Sequence, residues 1–175
     1  IEFRLNTDAA DSAVAAGLAE EFDAVVVAAG ACAARGVHAE GFEEGLASGD
    51  VVYAVDYLTE QTRALLEGRE PAISAEGKDV VVIGGGDTGN DCMGTAVRQG
   101  ARTVRQLEYG PCAPEVRAAS NAWPEWPNVK KTDYGQEEAI ALQGDDLREW
   151  CADTQRVLLD SDGRVRGLQV HSLDW

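Results

Sequence analysis

Lysine is scarce in this chain, with only three in 175 residues. Fifteen basic against 31 acidic side chains give a formal net charge of −16, which repels polyphosphate backbones and argues against nucleic acid as a partner. Long apolar runs are also missing. No stretch nears the ~18 to 20 residues needed to cross a bilayer, so no membrane is expected as a partner. Ile1-Glu2-Phe3-Arg4 lacks an initiating Met and the basic, apolar and small-residue order of a signal peptide, and reads as a cut end. Cys32, Cys92, Cys112 and Cys151 are widely separated, with no CxxC pair for zinc, an iron-sulfur cluster or a redox disulfide. Reduced thiols in a cytoplasmic protein, and no metal site, are therefore expected.

Catalytic side chains are equally sparse. His38 and His171 have no evident Ser or Cys partner, so no catalytic residue is assigned. A P-loop requires Gly-Lys-Ser/Thr after its glycines, and no lysine occurs between Gly84 and Lys130, which excludes ATP hydrolysis of that type.

What is present is aliphatic and patterned. Glu2 to Leu5 reads as a short strand, and Asp11 or Ser12 caps an Ala-rich helix ending near Glu21. Asp23 to Gly30, with Val25-Val26-Val27 at its centre, reads as a strand buried on both faces. From Ala31 to Asp50 the composition turns to Gly, Ala and acid, a loop-rich connection and the candidate domain boundary. Val51 to Val55 suggests a short strand, and Asp56 a cap for a helix through Leu66.

A second core run begins at Asp79 and is followed by a Gly turn (84 to 89), a helix (about 88 to 99) and a strand (about 102 to 108). This is a βαβ unit of about thirty residues, with parallel strands joined by a crossover helix. Cys92, Met93, Ala96 and Val97 form the helix's core stripe. Tyr109 to Asn128 holds four of the five prolines with Trp123 and Trp126, an irregular loop anchored by its aromatics. Gly135 to Gln143 reads as helix, and Val157 to Val170 as an antiparallel hairpin about Asp160-Ser161-Asp162-Gly163.

The chemistry lies in Gly84-Gly85-Gly86-Asp87-Thr88-Gly89, a G-x-G-x-x-G pattern that closes a strand and opens a helix. Gly84 permits the tight turn, Gly86 lets backbone approach a diphosphate, and Gly89 lets the helix pack on the strand. Phosphates then sit at the positive end of the helix. Asp87 and Thr88 as ordinary helix caps are the reading without a ligand. Nineteen positions after Gly89, Glu108 ends the second strand, where a carboxylate accepts hydrogen bonds from the adenosine ribose. A 2′-phosphate there meets like charge, which favours NADH over NADPH; Arg105 and Arg117 are the candidate cations for NADPH. A methyltransferase, which also places an acid after its second strand, is the weaker rival.

Gly77-Lys78-Asp79-Val80-Val81-Val82-Ile83 through Asn90-Asp91-Cys92 strongly resembles the small (beta) subunit of glutamate synthase. Arg98-Gln99-Gly100, Gln106-Leu107-Glu108, Trp123-Pro124-Glu125-Trp126-Pro127 and Asp133-Tyr134-Gly135-Gln136-Glu137-Glu138-Ala139 are similar to that family in the same order. Ala28-Ala29-Gly30 is similar to the family's Ala-Thr-Gly flavin approach, with Ala29 departing from Thr; Tyr109-Gly110-Pro111-Cys112 departs from the usual apolar form.

The resemblance implies an α/β, Rossmann-like three-layer FAD/NAD(P)-binding fold with an antiparallel hairpin near the C-terminus. It implies a fragment of the flavin-binding domain over 1 to 31 and an NAD(P)H-binding domain over 32 to 175. The implied activity is hydride transfer from NADH or NADPH to FAD, with electrons passed through iron-sulfur clusters to the glutamate synthase large subunit. Gly84, Gly85, Gly86, Asp87, Thr88 and Gly89 take the nucleotide role, with Glu108 near the ribose. FAD and cluster sites are not expected to be complete in this chain. The alternatives are the electron-input half of a dihydropyrimidine dehydrogenase, against which the Trp123 to Pro127 segment argues, and a non-catalytic acidic docking module.

Overall fold

A computed structural model describes residues 1–31 and 33–175. Cys32, at the expected domain boundary, lies outside the described residues. The chain divides into two compact units, Ile1–Ala34 and Arg35–Trp175.

The first unit is built on α1 (Ser12–Glu21), begun as expected by Asp11, whose carboxylate accepts from Ala13 N at 2.9 Å and Val14 N at 3.1 Å. The two strands expected around it are absent. Glu2 to Leu5 is irregular, and Asp23 to Gly30 is unpaired, with Val26 88% and Val27 84% exposed. Apolar β-branched side chains only favour an extended backbone. A strand also needs a neighbour for its N–H and C=O groups, and no described residue supplies one here.

In the second unit, α2 (Phe42–Ser48) and α3 (Ala54–Glu67) precede β1 (Asp79–Ile83), α4 (Asp87–Arg98) and β2 (Thr103–Leu107). Then come α5 (Tyr134–Gln143), β3 (Arg148–Glu149), β4 (Ala152–Leu159) and β5 (Val165–Ser172). Three readings are corrected here. Phe42–Ser48 is helical rather than loop; Val51 to Val55 is not a strand, because α3 already starts at Ala54; and Tyr53, not Asp56, occupies the α3 N-cap. Asp56 lies in the first turn instead, where its charge opposes the helix dipole favourably.

β1, β2 and β3 form a parallel sheet in that order, with Asp79 opposite Thr103 and Ile83 opposite Leu107, so both strands end together at the Gly turn. The third strand is two residues long and had no sequence signal; backbone holds it, with Glu108 N donating to Glu149 O at 2.7 Å. β4 and β5 form the expected antiparallel hairpin. The α/β class read from the sequence is thus the one observed, with a parallel sheet followed by an antiparallel pair.

Met93 and Ala96 of α4, Ala139 of α5 and Val104 of β2 are buried together, and Val80, Val82 and Val97 pack against them. Each fully buried Met or Val in that cluster contributes roughly 1.5 to 3 kcal/mol. The alternate residues of β1, Val81 and Ile83, remain half-exposed, so β1 is covered on one face rather than fully buried.

α5 lies directly on α4 because Gly94 and Gly135 leave no side chains between them: Cβ positions built at these glycines fall 3.2 Å from Gly135 Cα and 2.8 Å from Gly94 N. The amides that open α5 are held by Asn90 of α4, whose Oδ1 accepts from Gly135 N at 2.9 Å and Gln136 N at 3.1 Å. At the other end of α4, Gln99 accepts from Tyr57 Oη and Ala75 N, both at 2.8 Å, tying α3 and the approach to β1 to the same core.

Candidate functional site

The Gly turn leaves β1 through Gly84, whose φ of +114° lies where side chains are rarely tolerated. Gly84 N donates to Leu107 O at 2.8 Å, and Gly84 O accepts from Gln106 Nε2 at 2.9 Å. A Cβ at Gly89 would fall 2.4 Å from Gly84 O, so the third glycine allows the first turn of α4 to lie on the loop. A Cβ at Gly86 would meet nothing within 4 Å, and that residue faces open space.

Gly86 is also the N-cap of α4, and no side chain among the described residues caps it. Asp87 and Thr88 therefore do not serve as caps; Asp87 is the first helical residue. The opening amides of α4 are left for another acceptor.

Glu108 folds back over the turn, and its carboxylate atoms lie 2.0 to 2.5 Å from where a Cβ at Gly85 would stand. A side chain at position 85 would displace the Glu108 carboxylate, a coupling the motif alone did not disclose. Burial raises the Glu108 pKa, Arg148 opposes the rise and Asp146 adds to it.

Ionisation of Glu108 thus occurs at higher pH in the fold than in the unfolded chain. Its charge works against folding above the unfolded carboxylate range, and that loss is relieved as pH falls through the folded value. Glu108→Gln is accordingly expected to raise Tm at neutral pH, with the two proteins converging toward pH ~4. Thermal melts across that range check it, and a gain independent of pH would contradict it.

Gly85, Gly86 and Glu108 form one wall of a cleft of ≈ 350 Å³, within the size range of small-molecule sites. Its other walls come from Trp126 to Lys131 and from Arg148 and Trp150. Arg148 has a side chain only 2% exposed; it binds Asp146 through Nε at 2.8 Å and Nη2 at 2.6 Å, Lys131 O through Nη1 at 2.7 Å and Thr132 Oγ1 through Nη2 at 2.9 Å. Asp146 holds the Arg148 pKa up, and Arg148 holds that of Asp146 down.

The cations expected beside Glu108 are engaged elsewhere. Arg105 pairs with Glu149 at 3.0 Å, and Arg117 donates to Asn121 O and to Glu125 O, at 2.5 and 2.7 Å. Lys130, Lys131 and Arg148 line the cleft instead. The adjacent lysines in a lysine-poor chain were the available signal. Nor do the tryptophans anchor their loop by burial, since Trp123 is 83% and Trp126 79% exposed. Polar bonds hold it: besides the two from Arg117, Asn121 Nδ2 donates to Trp126 O at 3.1 Å and Asn121 Oδ1 accepts from Asn128 N at 2.8 Å.

No nucleophile stands out among the described residues. Burial pushes the Cys92 thiol up to about 11, so it stays protonated at neutral pH; Cys112 and Cys151 are also free thiols. No group of three metal-ligating side chains occurs among the described residues, and no helix among them is long and apolar enough to cross a membrane.

Parallel strands ending at a glycine turn, with a crossover helix opening on a cleft, define a Rossmann-like fold of the FAD- and NAD(P)-binding type. The chain belongs to the pyridine nucleotide-disulphide oxidoreductase family, whose model matches residues 3–121. It is 42% identical over 157 residues to glutamate synthase [NADH] of Schizosaccharomyces pombe, covering 88% of this chain and 7% of that protein. It is 40% identical over 177 residues to the glutamate synthase [NADPH] small chain of Bacillus subtilis, covering 99% of this chain and 35% of the relative. The small chain from Mycobacterium tuberculosis (strain ATCC 25618 / H37Rv) is 38% identical over 179 residues, with 98% and 34% covered. The resemblance to glutamate synthase thus extends along most of the chain, which spans about a third of the length of these small chains.

Proposed function

We propose that the chain is the pyridine-nucleotide-binding part of a glutamate synthase-type oxidoreductase, with NADH or NADPH held by its diphosphate at Gly84–Gly89 and its adenosine ribose at Glu108. The observation that carries this reading is the uncapped N-terminus of α4, where Gly86 faces open space beside a ≈ 350 Å³ cleft. The residues fit a dinucleotide. No side chain caps the opening amides of α4, no Cβ covers Gly86, and the Glu108 carboxylate accepts hydrogen bonds from ribose hydroxyls when ionised.

In this role the nicotinamide supplies a hydride to FAD, and the electrons serve glutamate synthesis on the large subunit through iron-sulfur centres. The fold contributes binding and orientation, which is the protein's share in such chemistry. Within the first unit, Ala28-Ala29-Gly30 follows an exposed, unpaired run, so its described residues build no flavin cradle and no step is assigned to them. The division of contacts after Ala34 supports assigning residues 1 to 31 to a flavin domain and 32 to 175 to the nucleotide domain.

Gly86→Ala tests the reading. A methyl group there meets no protein atom, so stability should change by less than about 0.5 kcal/mol. The same methyl stands in the way of a diphosphate, and NADH affinity should fall at least about tenfold, equivalent to ~1.4 kcal/mol. Titration calorimetry and thermal melts measure both. Unchanged affinity in the variant, or no NADH-dependent stabilisation of the wild type, would overturn the assignment.

A further inference from the structure

The cleft lining gathers three cations, Lys130, Lys131 and Arg148, beside the carboxylates of Asp87, Glu108 and Asp133. The chain has three lysines and a net charge of −16, yet two of those lysines stand side by side in the cleft lining. Their backbones are fixed from both sides, because Lys130 N donates to Pro114 O at 2.9 Å and Lys131 O accepts from the buried Arg148 at 2.7 Å. Their ammonium groups lie over aromatic rings, Lys130 at 5.4 Å from the Trp150 centroid and Lys131 at 5.2 Å from that of Trp126.

Neither lysine is consumed by a close carboxylate. Lys130 has a loose partner in the exposed Glu115 at 3.4 Å, and Lys131 has no carboxylate partner among the described residues. Arg148 differs, because its guanidinium is already committed to Asp146, Lys131 O and Thr132. It shapes the wall and leaves the anion-binding capacity to the lysines.

The lysines also belong to the Glu108 end of the cleft. Lys130 is close enough to Asp146 to help hold its carboxyl low, and Asp146 and Arg148 are the charges that act on Glu108. Glu108, Lys130 and Lys131 line the same cleft, so a dinucleotide whose ribose meets Glu108 shares that cleft with the lysine pair. On the basis of the nucleotide site proposed above, we infer that Lys130 and Lys131 grip the 2′-phosphate of NADPH, so that the cleft accepts NADPH despite the carboxylate of Glu108. The grip is screened by salt and contributes little to NADH, which has no phosphate there.

The test compares the full chain with Lys130→Ala/Lys131→Ala and with Lys130→Arg/Lys131→Arg, using NADH, NADPH and the fragments 2′,5′-ADP and 5′-AMP in titration calorimetry. Melting curves establish that each variant is folded. The alanine pair should lose roughly tenfold in NADPH and 2′,5′-ADP affinity, as expected for losing charge-assisted bonds, with NADH and 5′-AMP changing less than about threefold. The arginine pair should retain binding. Equal loss for NADH and NADPH would place the lysines on the diphosphate instead, and unchanged 2′,5′-ADP affinity would remove them from the site; either result overturns the inference. Failure of the wild type to bind any of the four ligands would refute the nucleotide site itself.

Discussion

Gly135→Ala is expected to cost about 2 kcal/mol of stability, although alanine is the better helix former. A Cβ there would lie 2.1 Å from Asn90 O, 2.8 Å from Gly94 N and 2.9 Å from Asn90 Oδ1, all atoms of α4. Two of the three are backbone, so relief requires α5 to move off α4 and to weaken the Asn90 bonds that hold its first amides. Overpacking of this kind costs about 3 kcal/mol, against a helix-propensity gain of about 1 kcal/mol, and the clash wins. Gly110→Ala is the control, because a Cβ there meets nothing within 4 Å. Urea denaturation should show Gly110→Ala within about 0.5 kcal/mol of wild type. Equal midpoints for the two variants would mean that the helices do not pack through these glycines.

That contact shows where sequence reading stops. β1, α4 and β2 were legible almost to the residue, because Val80-Val81-Val82-Ile83, the glycines and the Cys92, Met93, Ala96 stripe signal locally. β3 was invisible, since Arg148–Glu149 is a strand only by pairing with Gln106 and Leu107, some forty residues earlier. The opposite error occurred at Val25-Val26-Val27, where composition implied a strand and no described neighbour pairs with it. Hydrophobicity proposes an extended segment, and long-range hydrogen bonds decide it.

The site divides in the same way. Its glycines and Glu108 are a local pattern and could be named from spacing. Its cationic wall comes from Lys130, Lys131 and Arg148, brought back by α5 and β3, and no spacing rule connects these to Gly86. Gln106 illustrates the gap best. It was seen only as part of a resemblance, yet it is fully buried in β2 and its side chain holds the turn.

Gln106→Leu is expected to destabilise the protein by about 3 kcal/mol, because it orphans the buried Gln136 amide, at about 1 to 3 kcal/mol, and removes a part-buried bond to Gly84 O, at about 1 kcal/mol. Gln106 Nε2 donates to Gly84 O at 2.9 Å, while Gln106 Oε1 accepts from Gln136 Nε2 at 3.0 Å. Gln136 Oε1 in turn accepts from Asp133 N at 2.8 Å, as part of the α5 capping box. The Gly turn and the start of α5 are thereby joined by one line of hydrogen bonds through the core. Gln136→Leu breaks the same line from the other side, so the two substitutions should not add. In the double variant the Gln106–Gln136 bond is lost without leaving either amide unpaired, and its cost should fall short of the sum by about 1 to 2 kcal/mol. Chemical denaturation of the four proteins measures that difference, and strict additivity would show that the two glutamines stabilise the fold independently. Gln106→Leu should also weaken NADH binding while the protein remains folded, because Gly84, freed from its side-chain anchor, no longer fixes the direction in which the first amides of α4 point.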